Sequence, residues 1–250
     1  MPSRLIVHAG ILAALVATVV FADAAEAQSG RGFLFREPKL IVGARGGLGV
    51  ASASSDVFDF TREELTVGDS DFNGLSAFGD VGYRVLPRVD LIASLGYVGA
   101  TVDSESRRFE GTDDLPIRQS TEFRRVPLTA GLRIYPLPRG RTVGSYAWIP
   151  ARLVPYVGGA AGGMWYRFRQ QGEFVDEETL DIFNDTFNSE GWTPTAEAFG
   201  GLEYSVSPRI SVTGEGRYTW ADAELSSSFE GFDSIDLAGF AVTVGVSFRY

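Results

Sequence analysis

The sequence lacks cysteine altogether and has a single histidine in 250 residues. The absence of cysteine excludes disulfide frameworks, thiolate metal sites and cysteine nucleophiles. Lysine is also nearly absent, because Lys39 is the only one and arginine supplies the other 21 of the 22 basic residues. With 32 acidic residues the formal net charge is −10, which argues against a nucleic-acid binder, since phosphate recognition requires a basic face. Glycine is abundant instead, with 30 residues, beside 12% aromatic residues, a composition that suggests β structure with close contacts.

The first 27 residues have the pattern of a secretory signal peptide. Arg4 gives a positive start, residues 9–21 form an uncharged apolar run, and residues 25–27 (Ala-Glu-Ala) match the small-x-small cleavage pattern. A membrane-anchoring helix is the alternative, but this run is shorter than the roughly 20 residues that span a bilayer. We therefore expect export and a mature chain of residues 28–250 that forms one domain. Cleavage also removes His8, so the mature chain has neither histidine nor cysteine.

Eight segments of the mature chain alternate between two kinds of residue with a period of two, the pattern of β-strands with two different faces. One parity is apolar or small and contains no Asp, Glu, Lys or Arg, whereas the intervening parity contains ten charged residues. The segments are residues 40–52, 75–85, 91–101, 126–134, 154–168, 196–206, 210–220 and 238–250.

Two architectures produce such alternation, a soluble barrel or sandwich with the apolar face inward and a transmembrane barrel with the apolar face toward lipid. The polar parity is rich in glycine, which suits a narrow interior, and short turns alternate with long polar connections, the outer-membrane arrangement. The connection at residues 136–152 is the exception, because it is longer than this pattern predicts. Aromatic residues of the apolar parity cluster at segment ends, as in interface girdles: Tyr83, Tyr166, Phe168, Tyr204, Tyr218, Trp220, Phe248 and Tyr250. We therefore predict an all-β fold, an eight-stranded antiparallel transmembrane up-and-down β-barrel with both termini in the periplasm.

The C-terminus strengthens this prediction. Thr243, Gly245, Phe248 and Tyr250 form the order polar-x-Gly-x-x-aromatic-x-aromatic, which resembles the C-terminal assembly signal of bacterial outer-membrane proteins. The whole mature chain is similar to the small eight-stranded outer-membrane barrels, the class of outer membrane protein W and the barrel domain of outer membrane protein A. The resemblance implies a bacterial outer-membrane location, recognition by the barrel-assembly machinery through the C-terminus, and contact with outer-membrane lipids and lipopolysaccharide.

The inward parity places charged side chains in the predicted barrel interior, where we expect an ion-pair network. Eight strands enclose a space that side chains can just fill, so we predict a plugged or very narrow lumen and no general porin. The inward glycines leave room for water or a small ligand, and they keep a narrow channel open as the alternative. The predicted network consists of Arg45, Asp80, Arg84, Arg133, Arg167, Glu197, Glu203, Glu215, Arg217 and Arg249.

No enzyme is predicted. Outer-membrane barrel enzymes of the kinds that the resemblance brings into comparison depend on a histidine, because a serine hydroxyl is a poor nucleophile without a base. Glu203 and Glu215 point inward on neighbouring strands, but a satisfied ion-pair network explains them more simply than carboxylate catalysis. The glycine-rich runs at 43–49 and 158–163 are not followed by the Lys-Ser/Thr of a phosphate loop. We expect no cofactor and no metal ligand set.

Four long connections, residues 53–72, 103–120, 169–193 and 221–236, contain 23 acidic residues and five arginines, a net charge of −18. We therefore predict a strongly negative outer face that attracts divalent cations beside lipopolysaccharide phosphates and repels anionic solutes. In the third connection the spacing of Leu180, Phe183 and Phe187 predicts a short amphipathic helix from near Asp176. These apolar residues are candidates for a hydrophobic-ligand gate, with local packing of the loop as the alternative.

Three functions therefore remain open. A structural or surface-interaction barrel is favoured, a narrow channel or binder for small hydrophobic molecules is the alternative, and an unrecognised enzyme has the least support. The sequence identifies no ligand, no loop partner, no oligomeric state and no role for residues 136–152.

Overall fold

The computed structural model describes residues 32–111, 115–144, 147–176, 179 and 181–250. Within them lie twelve strands, one α-helix and two short 3₁₀ turns, at Asp69–Phe72 and Ser227–Phe229. No helix in this part of the chain combines the length and apolar character needed to cross a membrane. The helix, α1, spans Asp56–Glu64, and the strands in chain order are β1 (Leu40–Ala51), β2 (Gly74–Leu86), β3 (Val89–Glu110), β4 (Pro116–Ile134), β5 (Gly140–Val143), β6 (Ala147–Pro150), β7 (Leu153–Val175), β8 (Ile182–Ser205), β9 (Ile210–Trp220), β10 (Asp222–Ala223), β11 (Ile235–Asp236) and β12 (Gly239–Arg249).

Eight of these strands form a closed antiparallel barrel in the order β1-β12-β9-β8-β7-β4-β3-β2. The first and last strands close the ring, from the pair Ile41–Arg249 to the pair Ala51–Gly239. Each of the eight predicted segments is one barrel strand, so the predicted fold class is confirmed. Four strands, β3, β4, β7 and β8, extend well past their predicted ends and form two long hairpins at the end that carries the long connections, here called the loop end. The opposite end, where β1 begins and β12 ends, is called the turn end.

The two faces of the barrel wall have opposite character. Leu48 and Leu75 are about two-thirds exposed on the outer surface, at 65% and 66%. Arg45, Asp80 and Arg217 are buried in the interior, at 4%, 6% and 2% exposed. A barrel that is apolar outside and charged inside is inverted relative to a soluble one and is the arrangement of transmembrane barrels.

Strand β7 departs from the predicted orientation. The prediction that its even-numbered apolar residues face outward is wrong, because Tyr156, Met164, Tyr166 and Phe168 are buried in the interior. Tyr166 and Phe168 are therefore not part of an outer aromatic girdle. The physical reason is register: Gly158 lies directly opposite Arg133 of β4, and residues opposite each other in an antiparallel pair point to the same side.

The described residues of the third long connection form no helix at the position predicted for one. Phe183 and Phe187 lie in β8, which pairs with β7 as far as Val175–Ile182, whereas Leu180 lies outside the described residues. Phe174 of β7 packs edge-on against Phe187, with ring centroids 4.6 Å apart. Cross-strand aromatic pairs of this kind stabilise a hairpin, so a three-and-four spacing of apolar residues was insufficient to indicate a helix here.

The described part of the connection at residues 136–152 (136–144 and 147–152) forms a small hairpin at the turn end of the barrel. Strands β5 and β6 pair with each other, and the N-terminal segment joins the hairpin through a bridge between Leu34 and Trp148. The backbone amide of Ala151 donates a hydrogen bond to the Arg139 carbonyl oxygen at 2.8 Å. The unexpected length of this connection is therefore explained by a separate element that packs at the barrel end.

Candidate functional site

A cross-barrel ion-pair network occupies the middle of the interior. Nη1 and Nη2 of Arg217 lie 2.6 Å from Glu197 Oε2 and 3.0 Å from Glu215 Oε1. Arg45 bridges two carboxylates in the same layer, with distances of 2.6 Å to Asp80 Oδ2 and 3.1 Å to Glu215 Oε1. These five side chains are at most 6% exposed, so each charge relies on its neighbours for the stabilisation that water otherwise provides.

The network continues toward the turn end through Arg133 and Glu203. Nη1 of Arg133 lies 3.8 Å from Glu203 Oε1, and Nη2 of Arg249 lies 3.1 Å from Glu203 Oε2. Two tyrosine hydroxyls also donate hydrogen bonds to these carboxylates: Tyr135 to Glu203 at 3.0 Å and Tyr156 to Glu215 at 2.7 Å.

Aromatic rings lie against the guanidinium groups of the network. The Arg217 guanidinium lies 4.7 Å from the Phe78 ring centroid and 4.8 Å from that of Phe199. Arg133 lies 4.6 Å from the Tyr156 ring centroid. Cation–π contacts at these distances stabilise a desolvated cation while they occupy space that water would otherwise fill.

Eight of the ten predicted network residues are connected in this way. Arg84 lies apart from them at the turn end and forms an ion pair with Glu37 of the N-terminal segment. The predicted interior position of Arg167 is wrong: its side chain is 31% exposed on the outer face, where it pairs with Glu190 at 2.6 Å. The inverted orientation of β7 is the reason. The eight connected residues are Arg45, Asp80, Arg133, Glu197, Glu203, Glu215, Arg217 and Arg249.

A further buried ion pair at the turn end was missed by the sequence analysis. Arg139 Nη1 lies 2.6 Å from Asp90 Oδ2, and the two side chains are 4% and 1% exposed. Extending the alternation of the third segment by one residue would have placed Asp90 inside. No periodic signal marks Arg139, because it lies in an irregular stretch before β5.

An apolar cluster covers the loop end of the interior. Phe58 of α1 is fully buried, and its ring centroid lies 4.9 Å from that of Phe72, 5.2 Å from that of Phe123 and 5.5 Å from that of Phe168. Phe123 and Phe168 belong to the inward faces of β4 and β7, so α1 inserts its apolar side into the barrel mouth. The connection between β9 and β12 adds further buried side chains to the same cluster, namely Phe229, Ile235 and Leu237.

The three gate candidates occupy different environments. Phe187 is partly buried against this apolar cluster, with its ring centroid 6.2 Å from that of Phe229. Phe183 is 39% exposed near the tip of the β7–β8 hairpin, and Leu180 is outside the described residues. The residues that cover the loop end therefore come chiefly from other segments than the one predicted.

The residues of the predicted assembly signal lie on the last strand, β12, and at its end. Thr243 is buried and donates a hydrogen bond to the Glu215 carbonyl oxygen at 3.4 Å. A Cβ at Gly245 would lie 2.0 Å from the Ala44 carbonyl oxygen, so only glycine fits. Phe248 is partly exposed and Tyr250 is 62% exposed on the outer surface. Recognition of these residues by an assembly factor stays a prediction.

Among the described residues no three or more Asp, Glu, His or Cys side chains are grouped closely enough to hold a metal ion.

The model of one protein family, the outer membrane protein beta-barrel domain, matches residues 12–248 of the sequence. The chain belongs to this family. The match spans all eight barrel strands except the last residue of β12. The protein is therefore an integral β-barrel of the bacterial outer membrane.

Solved outer-membrane barrels resemble the chain at low sequence identity. Outer membrane protein OprG of Pseudomonas aeruginosa is 13% identical, with 86% of this chain and 97% of that one covered and a TM-score of 0.47. A major outer membrane protein of Thermus thermophilus is 15% identical, with coverages of 86% and 100% and a TM-score of 0.44. Neisserial surface protein A is 11% identical, with coverages of 88% and 98% and a TM-score of 0.43. No curated protein shows significant similarity to the sequence.

Proposed function

We propose that this barrel is a closed, non-enzymatic outer-membrane protein with a structural or surface-interaction role. The observation that supports the proposal is that large buried side chains lie in the middle and at both ends of the barrel interior. Four arginines and four carboxylates bridge the middle, the apolar cluster around Phe58 covers the loop end, and Arg139 enters the turn end. An eight-stranded barrel has room for little more than such side chains.

Conductance across planar lipid bilayers tests the closed interior. We expect the purified mature chain to give no large, stable channels. A double variant that removes two large buried side chains in contact with each other, Arg217→Ala with Phe199→Ala, should introduce measurable conductance. Large, stable channels in the unmodified protein would contradict the closed interior and support the alternative, a narrow channel for small molecules.

Recognition at the loop end is proposed for the two long hairpins, β3–β4 and β7–β8. They lie outside the ion-pair network, so shortening either hairpin leaves the barrel wall intact. We expect shortened variants to lose surface binding or resistance to host factors while uptake of small hydrophobic molecules stays unchanged. Lost uptake with unchanged surface binding would favour transport instead.

The acidic connections support a role for divalent cations at this end. The net charge of −18 in these four segments attracts Mg²⁺ or Ca²⁺, which also bridge lipopolysaccharide phosphates. Electrophoretic mobility of the protein in lipopolysaccharide vesicles should therefore depend strongly on Mg²⁺. Mobility that does not respond to Mg²⁺ would refute this part of the proposal.

Export and assembly complete the proposal. We infer cleavage after Ala27, so that residues 28–250 form the mature barrel, and insertion by the barrel-assembly machinery through the C-terminal strand. N-terminal sequencing of protein isolated from outer membranes should begin at Gln28. A first residue before position 20 would refute the signal-peptide boundary.

A further inference from the structure

A cleft of about 420 Å³ opens at the turn end of the barrel. Pro150 and Arg152, which lie between β6 and β7, form one side of it, and Tyr204 with residues 205–208 forms the other. Leu153, directly opposite Tyr204 at the end of the β7–β8 ladder, is 54% exposed on the outer wall. The cleft therefore lies where the lipid-facing wall ends.

Tyrosine side chains mark the same level elsewhere around the barrel. Tyr83 near the end of β2, Tyr204 near the end of β8 and Tyr250 after β12 are each 40–62% exposed. The amide of Tyr250 donates a hydrogen bond to the Leu40 carbonyl oxygen at 2.8 Å, which holds it beside the start of β1. Exposed tyrosines at strand ends are typical of the membrane–water interface, so the cleft is at the level of the lipid headgroups.

Arg152 contributes an oriented guanidinium group to the cleft. Its Nε donates a hydrogen bond to the Tyr204 hydroxyl at 2.9 Å, and its guanidinium carbon lies 5.5 Å from the centroid of that ring. No carboxylate of the described residues forms an ion pair with Arg152, and its nitrogens Nη1 and Nη2 remain available to an external acceptor. A planar guanidinium group binds phosphate oxygens through charge-assisted hydrogen bonds.

The connection between β8 and β9 adds a second donor and apolar surface. Ser207 Oγ accepts hydrogen bonds from the backbone amides of Arg209 and Ile210, at 3.3 and 3.1 Å. Its hydroxyl hydrogen is left to donate to a group in the cleft. Val206 is 62% exposed and lines the cleft together with Pro208. Two donors beside apolar surface suit a molecule with a polar head and an apolar tail.

The charge around the cleft specifies the kind of headgroup. In the described part of the chain the turn end exposes one side-chain carboxylate, Glu37, which pairs with Arg84. The C-terminal carboxylate is a second negative charge at this end. The exposed basic residues of the turn end, which form no ion pair with any described residue, are Arg36, Lys39, Arg88, Arg141, Arg152 and Arg209. This excess of positive charge attracts anionic lipids.

We propose that the cleft binds the headgroup of an anionic phospholipid from the leaflet that surrounds the turn end. Phosphate oxygens accept hydrogen bonds from the terminal nitrogens of Arg152 and from the Ser207 hydroxyl. The acyl chains continue along the outer wall beside Leu153 and Val206. The occupant is a lipid rather than a soluble anion, because the cleft adjoins the lipid-facing wall and part of its lining is apolar.

Titration of a short-chain phosphatidylglycerol into the refolded mature chain, held in zwitterionic phosphocholine micelles, tests the proposal. We expect saturable NMR shifts of the backbone amides of residues 205–207. Arg152→Gln removes one basic group at the headgroup level and should raise the apparent Kd roughly fivefold. Val206→Glu places a negative charge at an exposed position of the cleft and should also weaken binding. The shift in gel mobility on heating checks that both variants fold.

Two other arginines provide matched controls. Arg141 is an exposed basic residue of the same end but does not line the cleft. Arg118 is 72% exposed on a hairpin of the loop end. Arg141→Gln and Arg118→Gln should each keep the apparent Kd within about twofold, because exposed charges farther away are screened. Equal weakening by Arg141→Gln and Arg152→Gln would overturn the proposal in favour of diffuse attraction to the whole turn end.

Three further results would overturn the proposal. One is the absence of saturable shifts with phosphatidylglycerol. Another is the same set of shifts with inorganic phosphate at equal concentration, which would indicate a site for a soluble anion. The third is a set of shifts that grow with protein concentration at a fixed ratio of lipid to protein, which would indicate contact between two copies of the chain.

Discussion

Replacement of Arg217 by methionine should destabilise the barrel severely. Arg217 is 2% exposed and holds Glu197 at 2.6 Å and Glu215 at 3.0 Å, so its loss leaves two buried carboxylates short of a partner. Breaking a buried ion pair by removing one member costs about 3–5 kcal/mol. Glu215 keeps Arg45 at 3.1 Å, whereas Arg217 is the one arginine among the described residues that forms an ion pair with Glu197. We therefore expect most of the loss to arise at Glu197.

Reversible urea unfolding in lipid vesicles, followed by tryptophan fluorescence, measures this loss. The double variant Arg217→Met with Glu197→Gln also removes the carboxylate charge that Arg217 had neutralised. Its free energy of unfolding should therefore exceed the value expected from the sum of the two single variants by about 1–3 kcal/mol. Arg167→Met is the matched control, since its pair with Glu190 is 31% and 42% exposed and such pairs contribute about 0–1 kcal/mol. Equal losses for Arg217→Met and Arg167→Met would refute the view that the interior charges support one another.

Three further changes have definite expected outcomes. Phe58→Ala should reduce the free energy that holds α1 in the barrel mouth by about 3–5 kcal/mol, because a fully buried aromatic side chain is removed. Amide exchange in α1 should become faster while the unfolding of the barrel changes little. Gly47→Ala should impair refolding, since a Cβ there would lie 1.9 Å from the Val242 carbonyl oxygen, whereas Gly214→Ala, with no atom within 4 Å, should refold normally; the fraction of heat-modifiable protein compares the two. Deletion of Tyr250 should slow insertion in cells, and unchanged amounts of folded protein in the outer membrane would contradict its role in assembly.

The positions of the eight strands were predictable from the sequence because the bilayer and the interior impose opposite demands on alternate residues. In β1, for example, Val42 and Leu48 face lipid while Arg45 faces the network. The same contrast disappears beyond the membrane, where both faces of a strand meet water. The predicted ends of β3 and β7 were therefore too early and the predicted starts of β4 and β8 too late, and a hairpin was mistaken for a helix near Phe183.

The orientation of β7 was unpredictable from its own residues for a related reason. Both of its parities are apolar or small apart from Arg167, with Tyr156 and Met164 on one side and Val157 and Trp165 on the other, so a single charge at the loop end decided the predicted face, and it decided wrongly. Register with β4 and β8 selects it instead, and register depends on two other strands. The positions of α1 at the loop end and Arg139 at the turn end could not be predicted for a third reason. Both make contacts with residues distant in the sequence, and no local periodicity indicates such contacts.

A charged interior is also consistent with the route that an outer-membrane barrel takes to its site. A chain with apolar residues on both faces of every strand would contain runs long enough to arrest in the inner membrane, which takes roughly 20 consecutive apolar residues. Alternation keeps the mean hydropathy of this chain at +0.03 and interrupts every strand with polar residues. The unpaired interior charges then find partners only when the barrel closes. The ion-pair network thus favours the closed barrel, because there the apolar outer face contacts lipid and the interior charges have oppositely charged neighbours.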